Sequence, residues 1–265
     1  MPDRIGDMSL AAGLSPATVA GLAGLIGDIC GTAPDGAPWL APALLFADPA
    51  VQARLDMPRP GPDAVLVQDY QSLTAAEPLP LDRPLTARAG VDRREGLTEY
   101  TFALAPADAD APAVTLGTAL RVVPAALLAQ ARPAPFRAAA LRDVAWSGPL
   151  AVTQARTDRY LALSGDANPI HRDPAQAARL GLPAPVVPGL LLASLIQPFA
   201  RGLAPGAAPA VLKCRFMAPL AMAAPLRIGI QPRGSAPDGT LRARAYLVAA
   251  DPDRALAIVD LQFRP

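Results

Sequence analysis

The chain reads as one pattern written twice, and this constrains its fold more than any other feature. Helical material is followed by four strand-like segments, VLVQDYQSL, PLTARAGV, LTEYTFALA and AVTLGTALRVV, beginning near residues 64, 85, 97 and 113. Each shows partial alternation of apolar and polar residues, with turn residues between segments. The same order returns in VLKCRFMAP, PLRIGIQPR, TLRARAYLVA and RALAIVDLQF, near 211, 225, 240 and 255. Local likenesses reinforce the repeat. APALLFA at 41–47 parallels VPGLLLA at 187–193, and PLTARAGV parallels PLRIGIQP. A looser match sets Ile26-Gly27-Asp28 beside Ser164-Gly165-Asp166. A period of about 130 residues is a duplicated domain, too long for a solenoid unit. The expected class is α+β: each unit covers an apolar helix with one sheet face, and two units join edge to edge, removing an exposed strand edge.

Punctuation supports this division. Ser15-Pro16 has the form of an N-cap followed by proline at the first helical position, leading into ATVAGLAGLIGDI. WLAPALLFADPAVQARL reads as a second helix, with Pro42 near its start and a break at Pro49. Residues 124–142 lack a strand period and carry two prolines near the middle, so they read as the connection between repeats. The expected organisation is a degenerate first repeat over 1–128, a linker over 129–142 and a second repeat over 143–265.

Composition removes several function classes. Hydrophobic residues make up 52% and charged residues 18%, which excludes a disordered chain. The formal net charge is +1 and no basic run is dense, so a nucleic-acid surface is not expected. Cys30 and Cys214 lie in different halves, and with a single histidine they cannot build an ordinary zinc site. Asp3 and Asp7 stand where a signal peptide carries positive charge, and the apolar segment Leu10–Ile26 is too short to span a bilayer. A cytoplasmic protein without a membrane partner is expected.

The two repeats differ in chemistry. The only histidine, His171, lies in the second, within GDANPIH, five residues after Asp166. A regular helix would put the two on different faces. Asn168-Pro169 prevents a helix there, and a loop brings both side chains to one point. Taken singly, Asp166 reads as a turn cap and His171 as a core histidine. Together they read as an acid–base pair. Pro188-Gly189 then opens LLLASLI, an apolar helix whose first amides lack internal acceptors and sit at the positive dipole end. Glycine lets a carbonyl oxygen approach its N–H closely. Ser164 and Asn168 read as loop supports, and Tyr160 and Leu163 as the buried face of the preceding helix. In the first repeat, Ala43 stands where the second has Gly189.

YLALSGDANPIHRDPAQAARLG resembles the hydratase-2 motif of the MaoC-like, (R)-specific enoyl-thioester hydratases and dehydratases. VVPGLLLASLI resembles the segment opening their central helix, and LKCRFMAPL the strand that follows. The resemblance is strong over roughly 150–220 and much weaker in the first half. It implies a double hotdog, two repeats each with a long central helix wrapped by an antiparallel sheet. It also implies reversible addition of water to trans-2-enoyl thioesters of CoA or acyl carrier protein, with no external cofactor. By residue, Asp166 and His171 carry over as the catalytic pair and Gly189 as the oxyanion-hole amide. The degenerate half is expected to help accommodate the acyl chain. Arg215 and Lys213 are candidates to meet a phosphate or a carboxylate, or are surface ends of a strand. Two repeats imitate a hotdog dimer, and a further homodimer stays open. The alternatives are a non-catalytic acyl-CoA binding or regulatory protein and a hotdog thioesterase.

Overall fold

The computed structural model describes residues 3–10, 13–47, 49–130, 136–205, 207–250 and 253–264. Among the described residues there are ten strands, with helices grouped before β2 and between β5 and β7: β1 Asp3–Leu10, β2 Ala64–Ala75, β3 Leu85–Arg94, β4 Leu97–Pro106, β5 Val114–Pro124, β6 Ala145–Trp146, β7 Val211–Phe216, β8 Leu226–Ser235, β9 Leu241–Ala250 and β10 Asp253–Phe263. They form one antiparallel sheet in the order β1-β3-β4-β5-β2-β7-β10-β9-β8-β6. Read outward from its centre, this order is the repeat itself: β2 answers β7, β5 answers β10, β4 answers β9, β3 answers β8 and β1 answers β6. The halves join where Tyr70–Thr74 of β2 pair with Arg215–Val211 of β7. Each half thus covers the other's inner edge, so neither leaves that row of N–H and C=O groups unpaired.

The eight expected strands all form. β1 and β6 were not expected. The register of β1 against β3 slips between Arg4 and Gly6, and β6 is two residues long, so neither offers a clean two-residue alternation. Of the expected linker, residues 131–135 lie outside the described residues. Before them is the helix Ala125–Gln130, and after them a 3-10 turn at Ala138–Ala140.

One hydrophobic cluster spans both halves. It joins Leu25 and Ile26 of the helix Pro16–Cys30, Leu44 and Leu45, Leu104 and Leu116 of the first sheet half, Leu191 and Leu195, and Ile228 and Leu247 of the second. Full burial of such a side chain is worth about 1.5–3 kcal/mol. The central apolar segments are short. In the second half, Gly189–Ser194 and Gln197–Ala200 are helical, with a turn between. Pro198 has no N–H to offer the Ser194 carbonyl, which accounts for the interruption. In the first half the segment is a 3-10 helix at Ala41–Ala47 and a helix at Pro49–Gln52; the residue between them, beside the break expected at Pro49, lies outside the described residues.

The helices Pro16–Cys30 and Gln154–Ser164 pack closely at Gly21, where a Cβ would come within 2.8 Å of Leu163 Cδ2. Both end on a left-handed glycine, Gly31 (φ 71°) and Gly165 (φ 68°), whose N–H bonds the carbonyl four residues back. The counterpart of Gly165 is therefore Gly31. The looser sequence match to Gly27 is four residues out of step, and Thr32 stands where the second half has Asp166.

Candidate active site

The helix Gln154–Ser164 is capped by Thr153, whose hydroxyl accepts from Arg156 N, and it ends at Gly165. The chain then turns through a series of side-chain-to-backbone bonds. Ser164 Oγ accepts from Asp166 N (3.2 Å), Asp166 Oδ1 from Asn168 N (2.9 Å), and Asn168 Oδ1 from Ile170 N (3.2 Å). Short Ser, Asp and Asn side chains favour such turns because each replaces a backbone acceptor two residues on. Pro169 opens a single 3-10 turn to His171. Arg172 donates to the Asp166 carbonyl (3.2 Å) and Gln154 to the His171 carbonyl (3.2 Å), closing the loop against its own helix.

The loop brings Asp166 and His171 together, with Asp166 Oδ2 3.5 Å from His171 Nε2. On the other side of the ring, Nδ1 lies 2.8 Å from the Val186 carbonyl oxygen. A carbonyl only accepts, so Nδ1 carries a proton, and in the neutral tautomer this leaves Nε2 as the acceptor on the side facing Asp166. The imidazole side chain is 11% exposed and the carboxylate side chain 36%, so the pair has a protected side and an open one. Val186 lies three residues before Gly189. It is held by Val186 N donating to the Ile170 carbonyl and by a bridge to Ala221. The same bonds therefore position His171 and the approach to the helix Gly189–Ser194.

At Gly189, Pro188 provides no side-chain cap. A Cβ there would meet Phe216 Cε1 at 3.0 Å, Phe216 Cζ at 3.2 Å and Gln68 Oε1 at 3.3 Å. Space at this position is already taken by two other segments, one of them from the first half. The Asp166–His171 loop also leans on that half: Ile170, Leu180 and Val186 cluster with Val65 of β2, and Val67, Val123 and Leu128 pack around them.

Two neighbours were missed or underread in the sequence. Gln68 carries no motif signal, because its place depends on β2 crossing to the other repeat. Tyr160 lies on the buried face of its helix, and burial first, then the Asp166 charge, pushes its phenol far above its ordinary range, so it stays protonated. Lys213 and Arg215 are not brought to this point. On β7 they are exposed, while Leu212 and Cys214 are buried and Phe216 shares their side. Strand alternation therefore puts both cations on the face opposite Phe216 and Gly189. Among the described residues no three His, Cys, Asp or Glu side chains are grouped to hold a metal ion, and no helix is long and apolar enough to cross a membrane.

Two short-helix layers on a mirrored ten-stranded antiparallel sheet define a double hotdog, and solved structures carry the same fold. A MaoC-like dehydratase from Phytophthora capsici superposes with a TM-score of 0.73 at 17% identity, covering 97% of this chain and 94% of its own. HtdX from Mycobacterium tuberculosis gives 0.70 at 20% identity, covering 97% and 99%. A conserved hypothetical protein of the same organism, described as having a double hotdog fold, gives 0.60 at 14% identity, covering 98% and 96%. A comparison with curated protein sequences found no match. Residues 136–236 match the family model described as MaoC like domain. The matched stretch contains the Asp166–His171 loop and Gly189.

Proposed function

We propose that the protein catalyses reversible hydration of trans-2-enoyl thioesters, equivalently dehydration of (R)-3-hydroxyacyl thioesters, carried on CoA or acyl carrier protein. The observation that carries this reading is the Val186 carbonyl on His171 Nδ1, which turns Nε2 toward Asp166 Oδ2 at 3.5 Å. Two acceptors converging at that separation suit a water molecule that both can hydrogen-bond. Its oxygen adds at C3 of the enoyl group while the π electrons move to C2 and the carbonyl. One proton of the water passes to the Asp166–His171 pair, and the pair returns a proton to C2. The pair ends as it began, and no redox partner is needed. The Gly189 N–H donates to the thioester oxygen as negative charge grows on it, a contribution of about 3–4 kcal/mol for such a donor. Members of an acid–base pair contribute roughly 10²–10⁴-fold each. Ser164 supports the loop by accepting from Asp166 N.

In this reading the repeats extend over 1–128 and 143–265, with 129–142 between them, the chemistry belongs to the second, and the protein works in the cytoplasm. The test is loss of enoyl absorbance on short, long, branched and carboxylated trans-2-enoyl-CoA esters, with wild type and Asp166→Asn side by side. The Asn side chain keeps the Oδ1 acceptor for Asn168 N, so the loop holds. Its NH2 replaces the oxygen facing His171, so turnover falls by about 10²–10⁴-fold. Equal turnover by both would sink the assignment. Release of free thiol without loss of the enoyl group would point to a thioesterase instead.

A further inference from the structure

Gln68 lies on β2 in the half without histidine, and its Oε1 reaches to 3.3 Å from where a Cβ of Gly189 would stand. A bulge puts it there. Gln68 pairs with Leu120, Tyr70 with Ala119 and Gln71 with Thr118, leaving Asp69 as the extra residue. Leu120 and Thr118 share a face, so Gln68 and Gln71 share one too, which unbroken alternation would forbid. Arg121 Nε donates to Asp69 Oδ2 (2.7 Å) and holds the bulge from the neighbouring strand.

The orientation of the Gln68 amide follows from its neighbours. Gln71 Nε2 donates to the Ser72 carbonyl (3.1 Å), which can only accept, so the Gln71 orientation is set. Its Oε1 then faces inward, accepting from Thr118 Oγ1 (2.6 Å) and from Gln68 Nε2 (3.0 Å). With Nε2 engaged there, Gln68 turns Oε1 to Gly189. Gln71 is fully buried and Thr118 nearly so, in a face otherwise lined by leucines such as Leu73, Leu116 and Leu120. Burying amides is costly unless they are bonded, and this network leaves one acceptor aimed at the site.

We propose that Gln68 is a substrate-positioning residue, whose Oε1 accepts a hydrogen bond from the first amide N–H of the pantetheine arm. This deepens the hydratase reading and rests on it. With the thioester oxygen on Gly189 N–H and the enoyl carbons facing Asp166 and His171, that amide is the next polar donor along the substrate. CoA and carrier-protein thioesters both carry it. The half without histidine would thus hold the thiol side of the substrate, and the site would span the β2–β7 seam.

The test compares two small substrates, crotonyl-N-acetylcysteamine, which keeps this amide, and S-butyl crotonothioate, which lacks it. Wild type is expected to favour the first by about tenfold in kcat/KM, mostly through KM, as one hydrogen bond would give. In Gln68→Met the preference is expected to fall within about twofold. Gln68→Asn, which keeps the amide but shortens its reach, serves if the Met variant does not fold. A preference unchanged by substitution, or absent from wild type, overturns the proposal while leaving the hydratase reading intact. If wild type turns over no enoyl ester, that reading fails alone, and calorimetry with butyryl-CoA decides about Gln68. Binding weakened about tenfold in the variant supports it; equal binding, or none by wild type, overturns it.

Discussion

Gly189→Ala separates stability from chemistry. The position does not require a left-handed backbone, so alanine can adopt it, and helix propensity alone would favour alanine by up to about 1 kcal/mol. Against this, the new methyl would stand 3.0 and 3.2 Å from two carbons of the Phe216 ring and 3.3 Å from Gln68 Oε1. Overpacking of this kind costs about 1–3 kcal/mol. Phe216 is only partly buried and can move, which puts the cost at the lower end. The expected net loss is about 1 kcal/mol, or a Tm lower by about 2–4 °C. In the proposed reading the effect on turnover is larger, because the methyl shifts Phe216 and Gln68 against the Gly189 amide that the substrate oxygen meets. A displacement of this kind lowers kcat/KM by about 100-fold, equivalent to about 2.7 kcal/mol. Thermal melts and the enoyl-absorbance assay measure the two quantities separately. Adding Phe216→Leu should restore the Tm but not the activity, since the methyl remains. Activity within about threefold of wild type for Gly189→Ala would refute the role of this glycine as the point of approach. A Tm above wild type would show that the Phe216 contact yields freely.

Two further outcomes follow from buried polar groups. Gln197 is buried, accepts from Trp39 N (2.8 Å) and donates to the Asp35 and Ala37 carbonyls (3.1 Å each), tying the second central helix to the loop before the first. Gln197→Leu strands these three groups and should lower stability by about 3 kcal/mol in a urea titration; an unchanged midpoint would contradict this. Burial pushes the Cys30 thiol from 9.0 up to about 12. The native state then keeps a proton that the unfolded chain releases, so this contribution is intact below pH 9 and declines as pH rises from 9 toward 12. Urea midpoints at pH 8, 9.5 and 10.5 should fall in that order, and iodoacetamide should label native Cys30 slowly at pH 8. Rapid labelling of the folded protein would overturn the burial argument.

Much of the fold was legible locally. Ser15 caps its helix as expected, because a hydroxyl can satisfy an amide that the first turn leaves unpaired. The eight expected strands show in the alternation of residues such as Leu212, Lys213, Cys214 and Arg215, since a strand buries every second side chain. The loop around Asp166 was legible for the same reason: Ser164, Asp166 and Asn168 bond backbone groups within two residues. These are short-range matters, settled by φ/ψ preference and side-chain reach.

What lay beyond the sequence depends on partners far along the chain. The match of Gly27 to Gly165 failed because only the two helix ends reveal that Gly31 holds the left-handed cap. Gln68 reaches Gly189, 121 positions away, only because an extra residue at Asp69 flips one strand and β2 pairs with β7. Lys213 and Arg215 fall on the far face once Phe216 is packed toward Gly189. The repeat, the Ser15 cap and the loop carrying Asp166 and His171 follow from the sequence alone, because each is made by contacts between near neighbours. The tertiary structure decided which face of each strand meets the site, because a sheet joins residues by hydrogen-bond register across the fold, and a single bulge changes that register.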